Sequence, residues 1–155
     1  MSNPESNRKE IQFQVIGPSD IEEIYAFAER RSHEAIPDET ARMFFSWNAK
    51  WRREALEHYL KLGWSFVARI EGQTVGFFLA QPFMFFRGQT QTVWVEHVES
   101  IDEHVRRALI EIVVRVGREK HMQRVLFAEA QPSELAPWSG RAAEDVLFEV
   151  KTTKG

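Results

Sequence analysis

The sequence predicts an α/β domain built on a mixed sheet, with element order β-α-α-β-β-β-α-β-α-β. Three observations predict it. Apolar and polar residues alternate in short runs, apolar residues recur every three or four positions in longer runs, and Gly-containing turns separate the two kinds. The chain has 155 residues, enough for one buried core and too few for two. A polar tail over 1–10 followed by a single domain over 11–155 is the expected organisation. Hydrophobic residues at 43% and charged residues at 28% are globular usage and exclude a disordered chain.

Ile11, Phe13 and Val15 alternate with Gln12 and Gln14 until Gly17 and Pro18 stop the pattern, which reads as a half-buried strand. Ser19 with Glu22 three positions on is read as a capping box, and Ile21, Ile24, Tyr25 and Ala28 carry a helix to about residue 35. Pro37 and Asp38 restart a helix, predicted as one element to about residue 62, with Phe44, Trp47, Trp51 and Ala55 on one face and Gly63 as its cap. Residues 64–70 and 75–80 flank Glu71-Gly72 as a hairpin, with Pro82 limiting pairing at its far end.

Phe83, Met84, Phe85 and Phe86 lead through Arg87-Gly88 into a strand over 92–98, a second hairpin. Four large apolar residues in a row cannot all face one side of a strand, so self-association as a homodimer through Phe83–Phe86 is expected. Val105, Ala108, Leu109, Ile112, Val113 and Val116 form the clearest helical stripe, over 102–120. A short strand over 125–128, a turn or helix over 132–143 and a last strand over 146–150 complete the order.

Charge and residue types exclude several function classes. A net charge of −3 with interspersed signs offers no field for nucleic acid. The chain has no cysteine, so disulfides and thiolate chemistry are absent. His33, His58, His97, His104 and His121 show no metal-ligand spacing, so no metal is expected. Neither a secretory leader nor a membrane-length apolar run is present, which gives the expectation of a cytoplasmic protein with no membrane partner.

The segment WSFVARIEGQTVGFFLA over 64–80, with Val75-Gly76-Phe77 after its turn, resembles the signature hairpin of the GNAT superfamily of acyl-CoA-dependent N-acyltransferases. Arg107-Ala108-Leu109-Ile110 falls where that family's central helix has arginine, alanine and two aliphatic residues, and the element order agrees over about residues 11–150. The resemblance implies acetyl-CoA or another acyl-CoA as donor and an amine as acceptor. It also implies Glu96 or His97 on the central strand as the base, and the Val98 backbone against the thioester or pantetheine. Strand alternation puts Glu96 and His97 on opposite faces, and plain solvent-facing strand residues are the other reading of both. Phe44, Trp47 and Trp51 would border the acceptor site as an aromatic wall, or form a core stripe.

Two positions depart from the family. Its pyrophosphate turn, Q/R-x-x-G-x-G/A, corresponds to Ile101-Asp102-Glu103-His104-Val105-Arg106, which matches at none of the defining positions. Asp102 and Glu103 bring negative charge to the helix start, and His104 and Arg106 fill space that glycine leaves open. Side-chain contacts from His104, Arg106 and Arg107 would have to replace the missing turn. The family's proton-donating tyrosine aligns with Trp138, whose indole delivers no proton. Two functional expectations follow: an N-acyltransferase with an atypical cofactor site, or an inactive GNAT-like binding or regulatory module that no longer binds CoA.

Overall fold

Short turns set the order of the sheet. In the computed structural model, which describes residues 9–143 and 148–152, Glu71 and Gly72 take φ of 50° and 79°, and Arg87 and Gly88 take 54° and 76°. Two consecutive left-handed residues are what a tight hairpin needs, so each pair folds one strand back on the next. The strands are β1 (Gln12–Val15), β2 (Phe66–Ile70), β3 (Gln73–Phe86), β4 (Gln89–Ser100) and β5 (Arg124–Phe127), in the order β1-β2-β3-β4-β5. All neighbours are antiparallel except β4 and β5. That parallel pair requires a crossover, which is α4 (Glu103–Glu119).

The helices α1 (Ile21–Ala35), α2 (Glu39–Trp47) and α3 (Arg53–Leu60) lie between β1 and β2 in sequence. Period-two alternation along β3 then divides the core. Phe77 and Leu79 pack with Ile24, Phe27, Leu56 and Leu60 of α1 and α3. Phe78 and Ala80 pack with Val105, Leu109 and Val113 of α4. Beyond β5 the chain forms α5 (Pro132–Leu135) and a 3-10 turn at Ala136–Trp138, as expected for that stretch. The mixed α/β class read from the sequence is the class observed.

Several local expectations need correction. Ser19 lies inside a 3-10 turn, Pro18–Asp20, and Asp20 Oδ2 accepts from the Gly17 N–H at 2.8 Å in place of the expected box. The helix expected over 37–62 is broken into α2 and α3, although Asp38 does cap it, accepting from the Ala41 N–H at 3.1 Å. The break lets the chain turn inward, which buries Ala49 and Trp51 at 5% and 3% exposure and sets Trp51 edge-on to Tyr25 at 5.6 Å. Helix α2 buries no residue of its own.

Strand β3 runs unbroken through Pro82, because β2 pairs it only as far as Phe78 and the rest has β4 on one side alone. Near its tip Phe83 and Phe86 stack at 4.7 Å, while Met84 and Phe85 remain exposed. The last strand expected over 146–150 falls partly on residues 146 and 147, outside the described residues, and 148–150 form no strand. Phe148 there is 94% exposed, with no strand partner among the described residues. No helix among the described residues is long and apolar enough to cross a membrane.

One polar network ties α1 to the β2–β3 hairpin. Arg69 donates to both Glu23 oxygens at 3.0 and 2.7 Å, and Thr74 Oγ1 donates to Glu23 at 2.6 Å. Arg69 holds the Glu23 carboxyl below its ordinary value of 4.5, against the opposite push of burial. A depressed carboxyl stabilises the fold above its unfolded value, and that contribution disappears as pH falls through the folded one. The stability gap between wild type and Glu23→Gln, measured by urea unfolding, is therefore expected to be widest at neutral pH and to close on acidification below about 4.5. A gap independent of pH would show that Glu23 does not titrate with folding.

Candidate functional site

The chemistry gathers where β4 departs from regular pairing. Leu79 faces His97 and Ala80 faces Val95, so Glu96 is an extra residue on β4. A bulge of this kind interrupts alternation and redirects the side chains after it. Trp94 and Glu96 face α3, and His97 faces the same side, with its ring 5.9 Å from that of Phe77. Val95 and Val98, three positions apart, both join the α4 side. The expectation that Glu96 and His97 lie on opposite faces is corrected by this one inserted residue.

Glu96 Oε2 accepts from Tyr59 Oη of α3 at 3.1 Å and from Trp94 Nε1 at 2.7 Å. Burial, with the adjacent Glu96 charge, pushes the Tyr59 phenol well above its ordinary value, so Tyr59 stays protonated as a donor. His97 and Glu99 share a hydrogen bond at 3.0 Å, and Glu99 lies 3.9 Å from Arg31 of α1. In front of Glu96 opens a cavity of about 500 Å³, lined also by Lys50, Arg52, Glu54, His58 and Tyr59.

The cations of this cavity have partners. Lys50 pairs with Glu129 at 2.9 Å and Arg52 approaches Glu54 at 3.8 Å. Among the described residues no cation stands within ion-pair distance of Glu96, whose two hydrogen bonds come from neutral donors. A carboxylate bonded only to neutral donors and facing a cavity is placed to meet a cationic ligand.

Beside the cavity β4 and β5 separate. Their last paired residues are Val95 and Phe127, followed by one hydrogen bond from the Ala128 N–H to Val95 O at 2.9 Å. Residues 14–143 match a family described as "Protein of unknown function (DUF1999)". The chain belongs to that family. No curated protein matches it in sequence.

Solved structures give the DUF1999 chain its fold. An aminoglycoside acetyltransferase from an uncultured soil metagenomic sample, in complex with sisomicin, is 17% identical with a TM-score of 0.59, over 93% of this chain and 97% of that one. The acetyltransferase AAC(6')-Iy, in complex with the bisubstrate analog CoA-S-monomethyl-acetylneamine, is 16% identical with a TM-score of 0.60, over 93% and 99%. Ribosomal-protein-alanine N-acetyltransferase from Brucella melitensis biovar Abortus 2308 is 13% identical with a TM-score of 0.62, over 92% and 99%. The DUF1999 chain therefore has the GNAT fold.

The remaining expected site residues are distributed unevenly around it. Asp102 Oδ1 accepts from the Val105 N–H at 2.8 Å and so caps α4 itself. Arg106 bridges Val98 O and Glu129 O, each at 3.2 Å, and its Nε donates to the Glu134 carboxylate. His104 and Arg107 are exposed on the first turns of α4. At the start of α4, then, one backbone N–H, that of Val105, is taken by the Asp102 carboxylate, and the Arg106 side chain lies where the resemblance expects a small residue.

Phe44 and Trp47 are more than half exposed and meet edge-on at 5.0 Å, and neither lines the Glu96 cavity. Trp51 is core, so the expected three-residue aromatic wall is not assembled. Trp138 lines a separate cavity of about 260 Å³ with Gly117, Met122 and Phe127. Among the described residues no group of three His, Asp or Glu side chains is placed to hold a metal ion. The residues that sequence reasoning missed are Lys50, Tyr59, Trp94, Glu129 and Glu134. Tyr59 carried a core signal, three positions after Leu56, and the others carried none.

Proposed function

We propose that this chain is a GNAT-like binding module that takes a primary ammonium group in the Glu96 cavity and does not hold acyl-CoA through its α4 turn. The start of α4 carries this reading. Its Asp102 side chain already accepts from the Val105 N–H, one of the donors a helix terminus offers an anion. Glu103 adds a second charge in the same turn, and each carboxylate near a bound phosphate costs on the order of 1 kcal/mol at a solvated surface. The amine half of the site is supported separately by Glu96, which faces its cavity without a cation. Two neighbours with this fold are described with sisomicin or with an analog joining CoA to an acetylneamine, and by analogy we assign the amine to the Glu96 side.

A second reading, acyl transfer to that amine, is favoured by Glu96 itself, because a carboxylate held by Tyr59 and Trp94 can take a proton from a bound ammonium. Calorimetric titration separates the two. Sisomicin is expected to bind the wild type, Glu96→Gln to weaken it about tenfold or more, equal to about 1.4 kcal/mol, and acetyl-CoA to give no saturable heat. Acetylated sisomicin formed from acetyl-CoA would establish the enzyme reading instead. Equal sisomicin affinity in Glu96→Gln would remove Glu96 from the amine site.

A further inference from the structure

We propose that the Arg106 guanidinium occupies the opening between the diverging strands β4 and β5 as a built-in substitute for a ligand, and so decides whether an extended amide-bearing chain of the pantetheine type can enter. This rests on the reading that acyl-CoA is not held in the usual way, and it adds a second, separable cause located away from the α4 turn.

Backbone accounting leads to it. Two paired strands satisfy one another, and where they part each leaves carbonyl and N–H groups that need another partner. Strand β4 continues to Ser100 paired to β3 alone, whereas β5 ends at Phe127. The carbonyls of Val98, on one side of the opening, and Glu129, on the other, both accept from the same guanidinium at 3.2 Å. A planar group with five donors can make such a bridge, and a lysine could not reproduce it. Val98 is also the residue whose backbone the GNAT resemblance assigns to the thioester or pantetheine, so the arginine holds the position a cofactor would need.

The arginine is itself held. Its Nε donates to Glu134, which also accepts from the Gln131 N–H at 3.0 Å, and side-chain exposures of 21% and 20% make this pair mostly buried. Burial pushes the Glu134 carboxyl up, but the hydrogen bonds from Arg106 and Gln131 outweigh it and leave the group below its ordinary value. The ionised pair is thus the resting state at neutral pH. On the outer side Lys50 pairs with Glu129 at 2.9 Å and ties the α2–α3 turn to the same segment. A pantetheine chain entering here must displace Arg106 from two carbonyls and leave Glu134 without its cation, which disfavours entry.

Pantetheine, which carries the two amides and neither pyrophosphate nor nucleotide, tests the opening without involving Asp102 or Glu103. By calorimetry the wild type is expected to show no saturable binding. Arg106→Gly is expected to gain it, at least about tenfold tighter. Glu134→Gln, which loosens the arginine without deleting it, is expected to fall between them, and it decides the matter should Arg106→Gly fail to fold by circular dichroism. In the wild type the Nε–H resonance of Arg106 should not move when pantetheine is added. Wild-type binding equal to that of the variants, folded variants with no gain, or a shifted Arg106 resonance would each overturn the proposal. If Arg106→Gly binds pantetheine and CoA equally well, the Arg106 proposal stands and the assignment of repulsion to Asp102 and Glu103 fails.

Discussion

Gly76→Ala is expected to lower the stability of the fold by about 3 kcal/mol, with a fall in Tm of roughly 10 °C for a chain of this size. A Cβ at this position would lie 2.7 Å from Glu99 O, 2.9 Å from Leu109 Cδ1 and 3.0 Å from Val105 Cγ1. The first of these is backbone, fixed by the β3–β4 ladder in which Gly76 faces Ser100, so it cannot swing away. The other two belong to fully buried residues of α4. Relief would require β4 to shift against β3 as well as α4 to lift from the sheet, which would also disturb the helix start beside the candidate site. Gly17→Ala is the control, since nothing lies within 4 Å of its added Cβ and the change should stay within about 0.5 kcal/mol. Gly76→Ala with control-like urea unfolding would mean that Gly76 does not lie against Glu99 O and the α4 side chains at these distances.

Trp51→Ala is expected to cost about 3–5 kcal/mol, while Trp47→Ala should cost about 0.5 kcal/mol or less. The two are four positions apart and satisfy a single helical stripe, yet Trp51 is 3% exposed in the α1–α3 core and Trp47 is 59% exposed on α2. Removing Trp51 leaves a void beside Tyr25 that the surrounding helices can only partly close. Removing Trp47 takes away one edge-on partner of Phe44. Urea unfolding of the two variants side by side reads the difference, and equal destabilisation would restore the continuous helix that the sequence pattern suggested.

These contrasts show which signals in the chain were sufficient. The stripe Val105, Leu109, Val113 is legible because helix spacing and burial on one sheet face follow from the same periodicity, and all three residues are core. The hairpin at Glu71-Gly72 was legible because its turn geometry is a property of the two residues themselves. The split at residues 48–52 was not legible, since Phe44, Trp47, Trp51 and Ala55 satisfy helical spacing whether or not the helix continues. What interrupts it is the gain from burying Trp51 against Tyr25, a residue 26 positions earlier in the numbering of the chain.

The candidate site divides the same way. Glu96 and His97 are identifiable as polar residues of the central strand, and the size and charge of the side chains at residues 101–106 are legible in the sequence itself. The face that Glu96 and His97 share was not, because alternation is local to one strand, whereas a bulge arises from the register between β3 and β4. Nor could the sequence bring Arg106, Glu129 and Glu134 together around the opening beside Val98. By itself the sequence determined the α/β class, the long helix and the chemical character of its first turn, all consequences of neighbouring residues. Only the tertiary structure decided which charges face the Glu96 cavity and which side chain stands between the parting strands, because both depend on where distant segments meet.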